Sequence, residues 1–290
     1  MATTTPSLLR LALPKGRMQA GVFQLLADAG VDVRLDARGY RPVMSLADVE
    51  VKLLKPQNAI EMLHAGSRDV GFAGADWVAE LGADVVELLD LGLDPVRLVV
   101  AAPAALLEGG KLPDRPITVA SEYRRLTERW VGESGVRATF LRSYGATEVF
   151  PPEDADCIVD LTQSGSTLRA NGLTIVAEVL RSSTRLYAHP RALDDVGRRE
   201  RVETFALLLR SALAARARVM VEVNVPEARL DAVVAAMPCM KKPTLARLHG
   251  EGGYAVKAAV ARASLTALIP ELKARGGTDI VVYELSHLVP

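Results

Sequence analysis

The first hundred residues repeat one unit: a short apolar run, a turn rich in glycine or proline, then a helical stretch. Leu8–Leu13 ends at Pro14-Lys15-Gly16-Arg17, after which Met18, Val22, Leu25, Leu26 and Ala29 recur at offsets of four, seven, eight and eleven. That spacing predicts one apolar helix face, with Gly30 as its C-terminal stop. Val51–Leu54 predicts a further strand and Ala59–Ala65 a helix. The run Asp69–Asp76 predicts a strand that passes through a glycine turn into a helix, and Val85–Leu89 and Arg97–Ala102 predict two more buried strands. Parallel strands need crossover helices between them, so this rhythm implies an α/β fold with a mostly parallel, helix-covered sheet.

Pro103–Pro116, rich in Pro, Gly and Ala, suits a crossover into a second lobe with strands at Ile117–Ala120, Ala138–Leu141 and Cys157–Leu161. Thr184–Ala188 and the helical pattern Arg191–Arg216 return to the first lobe. The tail changes character: strand 218–224, helix 226–237, strands 243–248 and 254–261, helix 265–275 stopped by Gly276-Gly277, strand 279–285. The order βαββαβ is ferredoxin-like. The expected domains are therefore residues 1–102 with 184–214, residues 103–183, and residues 215–290.

Lys+Arg and Asp+Glu both number 35, so an anionic substrate must meet positive charge that is local rather than global. Cys157 and Cys239 are the two cysteines, too few and too distant for a disulfide framework. The start lacks the basic and long apolar regions of an export signal, and no apolar run reaches the roughly 18–20 residues that span a bilayer. A cytoplasmic protein is expected.

The stretch most informative about chemistry is Ala155–Asn171. A buried strand ends at Asp160, and the loop Gln163-Ser164-Gly165-Ser166-Thr167 opens a short helix. Backbone N–H groups and the positive helix end then converge on one spot, which favours phosphate. Gly165 permits close backbone approach, the hydroxyls add donors, and Asp160 is placed to hold a ribose diol. No Gly-Lys-Ser/Thr follows, so this is not a Walker loop. A plain strand–loop–helix capped by serine has the same local pattern.

Asp156–Leu173 resembles the phosphoribosyl pyrophosphate (PRPP) signature of the ATP phosphoribosyltransferases, long form. Gly145-Ala146-Thr147-Glu148 is similar to the family's Gly-x-x-Glu, Leu11–Arg17 to its first strand and basic turn, and Asp69–Asp76 to its Asp-x-Gly-x-x-Gly-x-Asp segment. Arg97–Ala101 and Ala120–Tyr123 match further blocks, and Pro238–Thr244 resembles the regulatory domain's Pro-x-x-x-x-Pro-Thr. The resemblance implies a two-lobed, periplasmic-binding-protein-like catalytic core with a ferredoxin-like regulatory domain, Mg2+ held mainly by substrate oxygens, ATP and PRPP as substrates, histidine as inhibitor, and dimers assembling into a hexamer. The chain departs from the family pattern at Asn58, which replaces an acid, and at Asn224, where some long forms have an acid that could hold the histidine ammonium.

The resemblance assigns Gln163–Thr167 to the 5′-phosphate, Glu148 and Asp160 to the ribose hydroxyls, and Lys15 and Arg17 to pyrophosphate or ATP phosphates. Gly16, Gly71, Gly74, Asp76, Arg97 and Tyr123 would line the nucleotide cleft, and Asn224, Met240 and Thr244 would receive histidine. Plainer roles stay open: solvated turn residues at 15 and 17, a helix cap at Asp76, a pairing of Arg97 with Asp94 or Glu87, packing at Tyr123. Three rival functions share parts of the pattern. A solute-binding protein would want an export signal, a non-catalytic regulatory subunit should have lost the loop or its acids, and a transferase acting on another base would not need the tail domain.

Overall fold

The computed structural model describes residues 8–35, 39–238, 242–250 and 252–289. These fall into two compact units, Met1–Gln24 with Asp32–Glu203 and Leu25–Val31 with Thr204–Pro290. The division lies after Glu203, inside a helix.

The first unit runs β1 (Leu9–Pro14), α1 (Arg17–Asp28, whose end belongs to the second unit), β2 (Val33–Arg34), β3 (Val43–Met44), β4 (Val49–Leu54), α2 (Pro56–His64), β5 (Val70–Gly74) and α3 (Ala75–Leu81). It continues with β6 (Val86–Pro103), β7 (Ile117–Ser121), α4 (Arg124–Ser134), β8 (Ala138–Arg142), β9 (Cys157–Thr162), α5 (Ser166–Ala170), β10 (Leu173–Ala188), α6 (Pro190–Asp194) and the start of α7 (Val196–Arg216). Eight strands form one sheet in the order β4-β1-β5-β10-β6-β9-β7-β8. β4, β1 and β5 are parallel at one end, β9, β7 and β8 at the other. Between them β6 and β10 pair antiparallel along their length and serve both lobes.

That central ribbon corrects the expectation of separate strands at 85–89 and 97–102, and of a strand confined to 184–188. Gly92 and Asp94 (φ 63° and 47°) with Pro95 read as a chain break. The ribbon absorbs them as register shifts around Leu93 and Thr184 while β10 keeps supplying partners on either side. Phe72, Leu98 and Ile158, all fully buried, stand for the core. Each contributes about 2 kcal/mol by leaving water.

In the second unit β11 (Arg218–Val225), α8 (Leu230–Ala236), β12 (Thr244–Arg247), β13 (Tyr254–Ala261), α9 (Leu265–Ala274) and β14 (Thr278–Glu284) make an antiparallel sheet ordered β12-β13-β11-β14, the ferredoxin-like arrangement. Alternation sets its faces. Val219, Val221, Val223 and Val225 are buried, with Val256 and Val260, among Val233 of α8 and Leu268 and Leu272 of α9. α8 is shorter than expected because Glu227–Arg229 form a 3-10 turn. Among the described residues no helix is long and apolar enough to cross a membrane.

Candidate active site

All six parallel strands of the first unit end on residues that line one cleft, the usual ligand position in open α/β sheets. β1 runs into Lys15, Gly16 and Arg17, β4 into Lys55, Gln57 and Asn58, and β5 into Asp76 and Trp77. In the other lobe β7 runs into Glu122 and Tyr123, β8 into Arg142–Glu148, and β9 into Leu161–Thr167. Three cavities connect through shared residues. The first, about 320 Å3, is lined by Arg17, Glu148, Asp160, Leu161, Thr162, Gln163, Ser164, Ser166 and Thr167, among others. Arg17 and Leu161 also line the second, about 260 Å3, with Lys15, Gln57, Asp76 and Trp77. Gln57 and Trp77 continue into the third, about 340 Å3, with Asn58, Glu80, Glu122, Arg142 and Tyr144.

The expected phosphate loop has an open, donor-rich form. Gly165 sits at φ +75° as the N-cap of α5, and its N–H donates to Thr162 Oγ1 at 2.9 Å. A Cβ there would lie 3.0 Å from Arg169 Nη1 and 3.4 Å from Ile175, so both conformation and space require glycine. The Ser166 N–H contacts Ser164 Oγ at 3.3 Å, the Ser164 hydroxyl donates to that of Ser166 at 3.0 Å, and Arg169 Nη1 holds the Ser164 carbonyl at 3.0 Å. The side chains of Gln163, Ser164, Ser166 and Thr167 face the cavity from exposed positions.

Asp160 accepts a hydrogen bond from the Leu161 N–H at 2.7 Å. Burial, reinforced by Glu148 and Glu122 nearby, pushes its carboxyl up to about 6. Glu148 comes from the 3-10 turn Thr147–Val149, which the 2.8 Å contact between the Ser143 and Thr147 hydroxyls braces. Two carboxylates thus face Arg17 across one cavity.

Asp76 is fully buried but does not cap α3, whose N-cap is Gly74. Its carboxylate accepts from the Tyr123 hydroxyl at 2.8 Å and from the Ser182 hydroxyl, while the Asp76 N–H donates to Ser182 Oγ. A Cβ at Gly74 would stand 2.1 Å from Asp76 Oδ1, so that glycine makes room for the carboxylate. Burial and Asp76 push the Tyr123 hydroxyl upward, so it stays protonated and donating. Lys15 lies over the Tyr40 ring, 4.7 Å from its centre.

Of the expected cleft residues, Gly16, Gly74 and Tyr123 adjoin lining residues without lining a cavity themselves, and two others lie elsewhere. Arg97 pairs with Glu178 at 3.4 Å on the β6–β10 ribbon and lines none of the three cavities. Gly71 is buried in β5, where a Cβ would meet Ala12 and Leu63 at 3.1 Å, so it is a packing position. Trp77, Gln57, Arg142 and Tyr144 were missed by sequence reasoning, because no motif marks them and only strand-end position gathers them.

In the second unit Asn224 and Thr244 share the sheet face opposite the helices. Asn224 opposes Ala255, which opposes Ala246, two residues from Thr244. The Asn224 amide donates to Asp279 Oδ2 at 3.2 Å. Met240 lies outside the described residues. Among the described residues no three His, Cys, Asp or Glu side chains are grouped to hold a metal ion.

Two family models match the chain: ATP phosphoribosyltransferase over residues 55–211 and the HisG C-terminal domain over residues 215–287. The chain belongs to the ATP phosphoribosyltransferase family. It is 39% identical to the ATP phosphoribosyltransferase of Pelotomaculum thermopropionicum, covering 97% of this chain and 99% of the relative, and 36% identical to that of Chlorobium phaeobacteroides, covering 98% of each. A solved structure, the ATP phosphoribosyl transferase (HisG:HisZ) complex from Thermotoga maritima, contains a similar chain at 26% identity with a TM-score of 0.63. The likeness covers 97% of that chain and 70% of this one. As an ATP phosphoribosyltransferase this protein is a phosphoribosyl-transferring enzyme of the first step of histidine biosynthesis, with a mixed α/β catalytic core and a C-terminal domain.

Proposed function

We propose that the chain joins ATP to PRPP, with N1 of adenine attacking C1 of the ribose and pyrophosphate leaving with inversion. One observation carries the assignment of roles: a phosphate-type loop, two carboxylates and an arginine line a single cavity that opens toward a second containing Lys15 and Asp76. Gln163–Thr167 hold the 5′-phosphate, while Glu148 and Asp160 accept the ribose hydroxyls. Lys15 and Arg17 receive the pyrophosphate or ATP phosphates, with Gly16 giving the turn between them its left-handed φ of +90°. Adenine N1 is already nucleophilic, so what the protein supplies is alignment of two polyanions and stabilisation of departing charge.

Magnesium fits this arrangement. Glu148 and Asp160 line one cavity, and a divalent cation there would offset the burial of the Asp160 carboxylate and its repulsion from Glu148. The ion would sit mainly on substrate oxygens, near these two carboxylates, and would neutralise phosphate charge.

Residues 1–102 with 184–214 and residues 103–183 serve as the two catalytic lobes, and 215–290 as the regulatory domain. Histidine acts there as feedback inhibitor near Asn224 and Thr244, with Asp279 supplying the carboxylate that position 224 lacks. The protein works in the cytoplasm as a dimer or hexamer. The test is to incubate the protein with ATP, PRPP, magnesium and pyrophosphatase, and to follow the ultraviolet change of N1-alkylated adenine with and without histidine. Product that requires both substrates and falls with histidine is expected. No product would overturn the transfer, and product indifferent to histidine would overturn the feedback role alone.

A further inference from the structure

Every helix begins with backbone N–H groups that lack a partner within it. In α4 the N-cap is Tyr123, which offers no side-chain acceptor, and the first turn contains no acid. The missing acceptor comes from the other lobe. Glu80, near the end of α3 and 9% exposed, places Oε1 3.1 Å from the Arg125 N–H and Oε2 3.0 Å from the Leu126 N–H. Both carboxylate oxygens are engaged at the positive end of α4.

The contact is reciprocal. α3 stops at Gly82 in the left-handed region, and a Cβ built there would lie 1.6 Å from Arg125 Nη1. The Arg125 guanidinium therefore fills the space a side chain would take, at the negative end of α3. Between these two contacts lie the Asp76–Tyr123 hydrogen bond and the Trp77 and Tyr123 rings, 4.7 Å apart at their centres. α3 follows β5 of one lobe and α4 follows β7 of the other, so the set spans the cleft behind Trp77.

The geometry points to Glu80 as a positioning residue of the transfer reaction: by capping α4 from α3 it fixes Trp77, which lines two of the cavities, against the buried Tyr123 ring, and with it the pose of the nucleotide. Glu80 acts through α4, because both of its oxygens are bonded to N–H groups of that helix. Among the described residues the phosphate loop makes no hydrogen bond to Glu80, Arg125 or Asp76, so a change at Glu80 is expected to weigh on ATP more than on PRPP. This inference rests on the transfer reading above.

The test measures KM for ATP and for PRPP separately in the unsubstituted enzyme, Glu80→Gln, Glu80→Ala and Arg125→Ala. Loss of the cap in Glu80→Ala is expected to raise KM for ATP about tenfold and KM for PRPP less than about twofold. Glu80→Gln keeps one acceptor and falls between. Trp77 emission, read in a Trp130→Phe background, shifts to longer wavelength as the wall loosens. Equal changes in both KM values, or an unchanged KM for ATP with unshifted Trp77 emission in folded protein, would overturn the proposal. If Glu80→Ala does not fold, Glu80→Gln and Arg125→Ala decide by the same readings. If the unsubstituted protein forms no product, the transfer reading falls, and ATP affinity by calorimetry across the same variants still decides the role of Glu80.

Discussion

Asp160 answers two demands that pull against each other. Its place at the end of a buried strand makes the ionised form costly, yet that form is the stronger acceptor for a ribose hydroxyl. Its folded-state pKa, about 6, lies above the usual carboxylate range, so ionisation above pH 6 costs stability that the unfolded chain does not lose. Asp160→Asn is therefore expected to stabilise the free protein at pH 7.5 by about 1–2 kcal/mol, with the gain shrinking as pH falls toward 4. The same change should abolish PRPP turnover. Thermal melts at two pH values, set beside initial rates, check both halves. In the unsubstituted enzyme kcat/KM for PRPP should decline below about pH 6, where Asp160 takes up its proton. Position and residue type made Asp160 readable in the sequence. Its elevated pKa was not, because the depth of its burial is set by the fold and Glu148 and Glu122 approach it from other strand ends.

At the level of elements, regular units were plain and irregular ones were not. The α1 face was visible in Met18, Val22, Leu25 and Leu26, all buried as the spacing requires. The tail's strand alternation was equally open to reading in Val219, Val221 and Val223. The β6–β10 ribbon was hidden, because the pairing that carries β6 past Gly92 and Pro95 comes from residues about ninety positions away. The phosphate loop stood out by residue type, but the Asp76–Tyr123–Ser182 network joins three elements that no local pattern connects. Gly165→Ala tests the loop as an element. Left-handed φ and the 3.0 Å approach to Arg169 both oppose a methyl group, so the loop must shift. KM for PRPP is expected to rise at least about tenfold, with the melting temperature of the apoenzyme lowered by about a few degrees.

For the molecule as a whole, the two units are not consecutive stretches of chain. Leu25–Val31, including the last turn of α1, groups with Thr204–Pro290, and within that unit Arg216 Nε meets Asp28 Oδ2 at 2.7 Å. Leu25, Leu26, Ala29 and Val31 are all buried there. A protein ended after residue 203 would leave these apolar groups without the remainder of their unit, at about 2 kcal/mol for each large side chain. It should bind a hydrophobic dye and sediment as aggregates rather than behave as a free-standing catalytic core, and a clean monomer would show that α1 closes without the tail. During translation the first helix emerges early yet cannot finish its packing until the final third of the chain follows. A ribosome that stops short thus releases a product whose oldest helix still shows an open apolar end, the kind of flag that quality-control proteases act on.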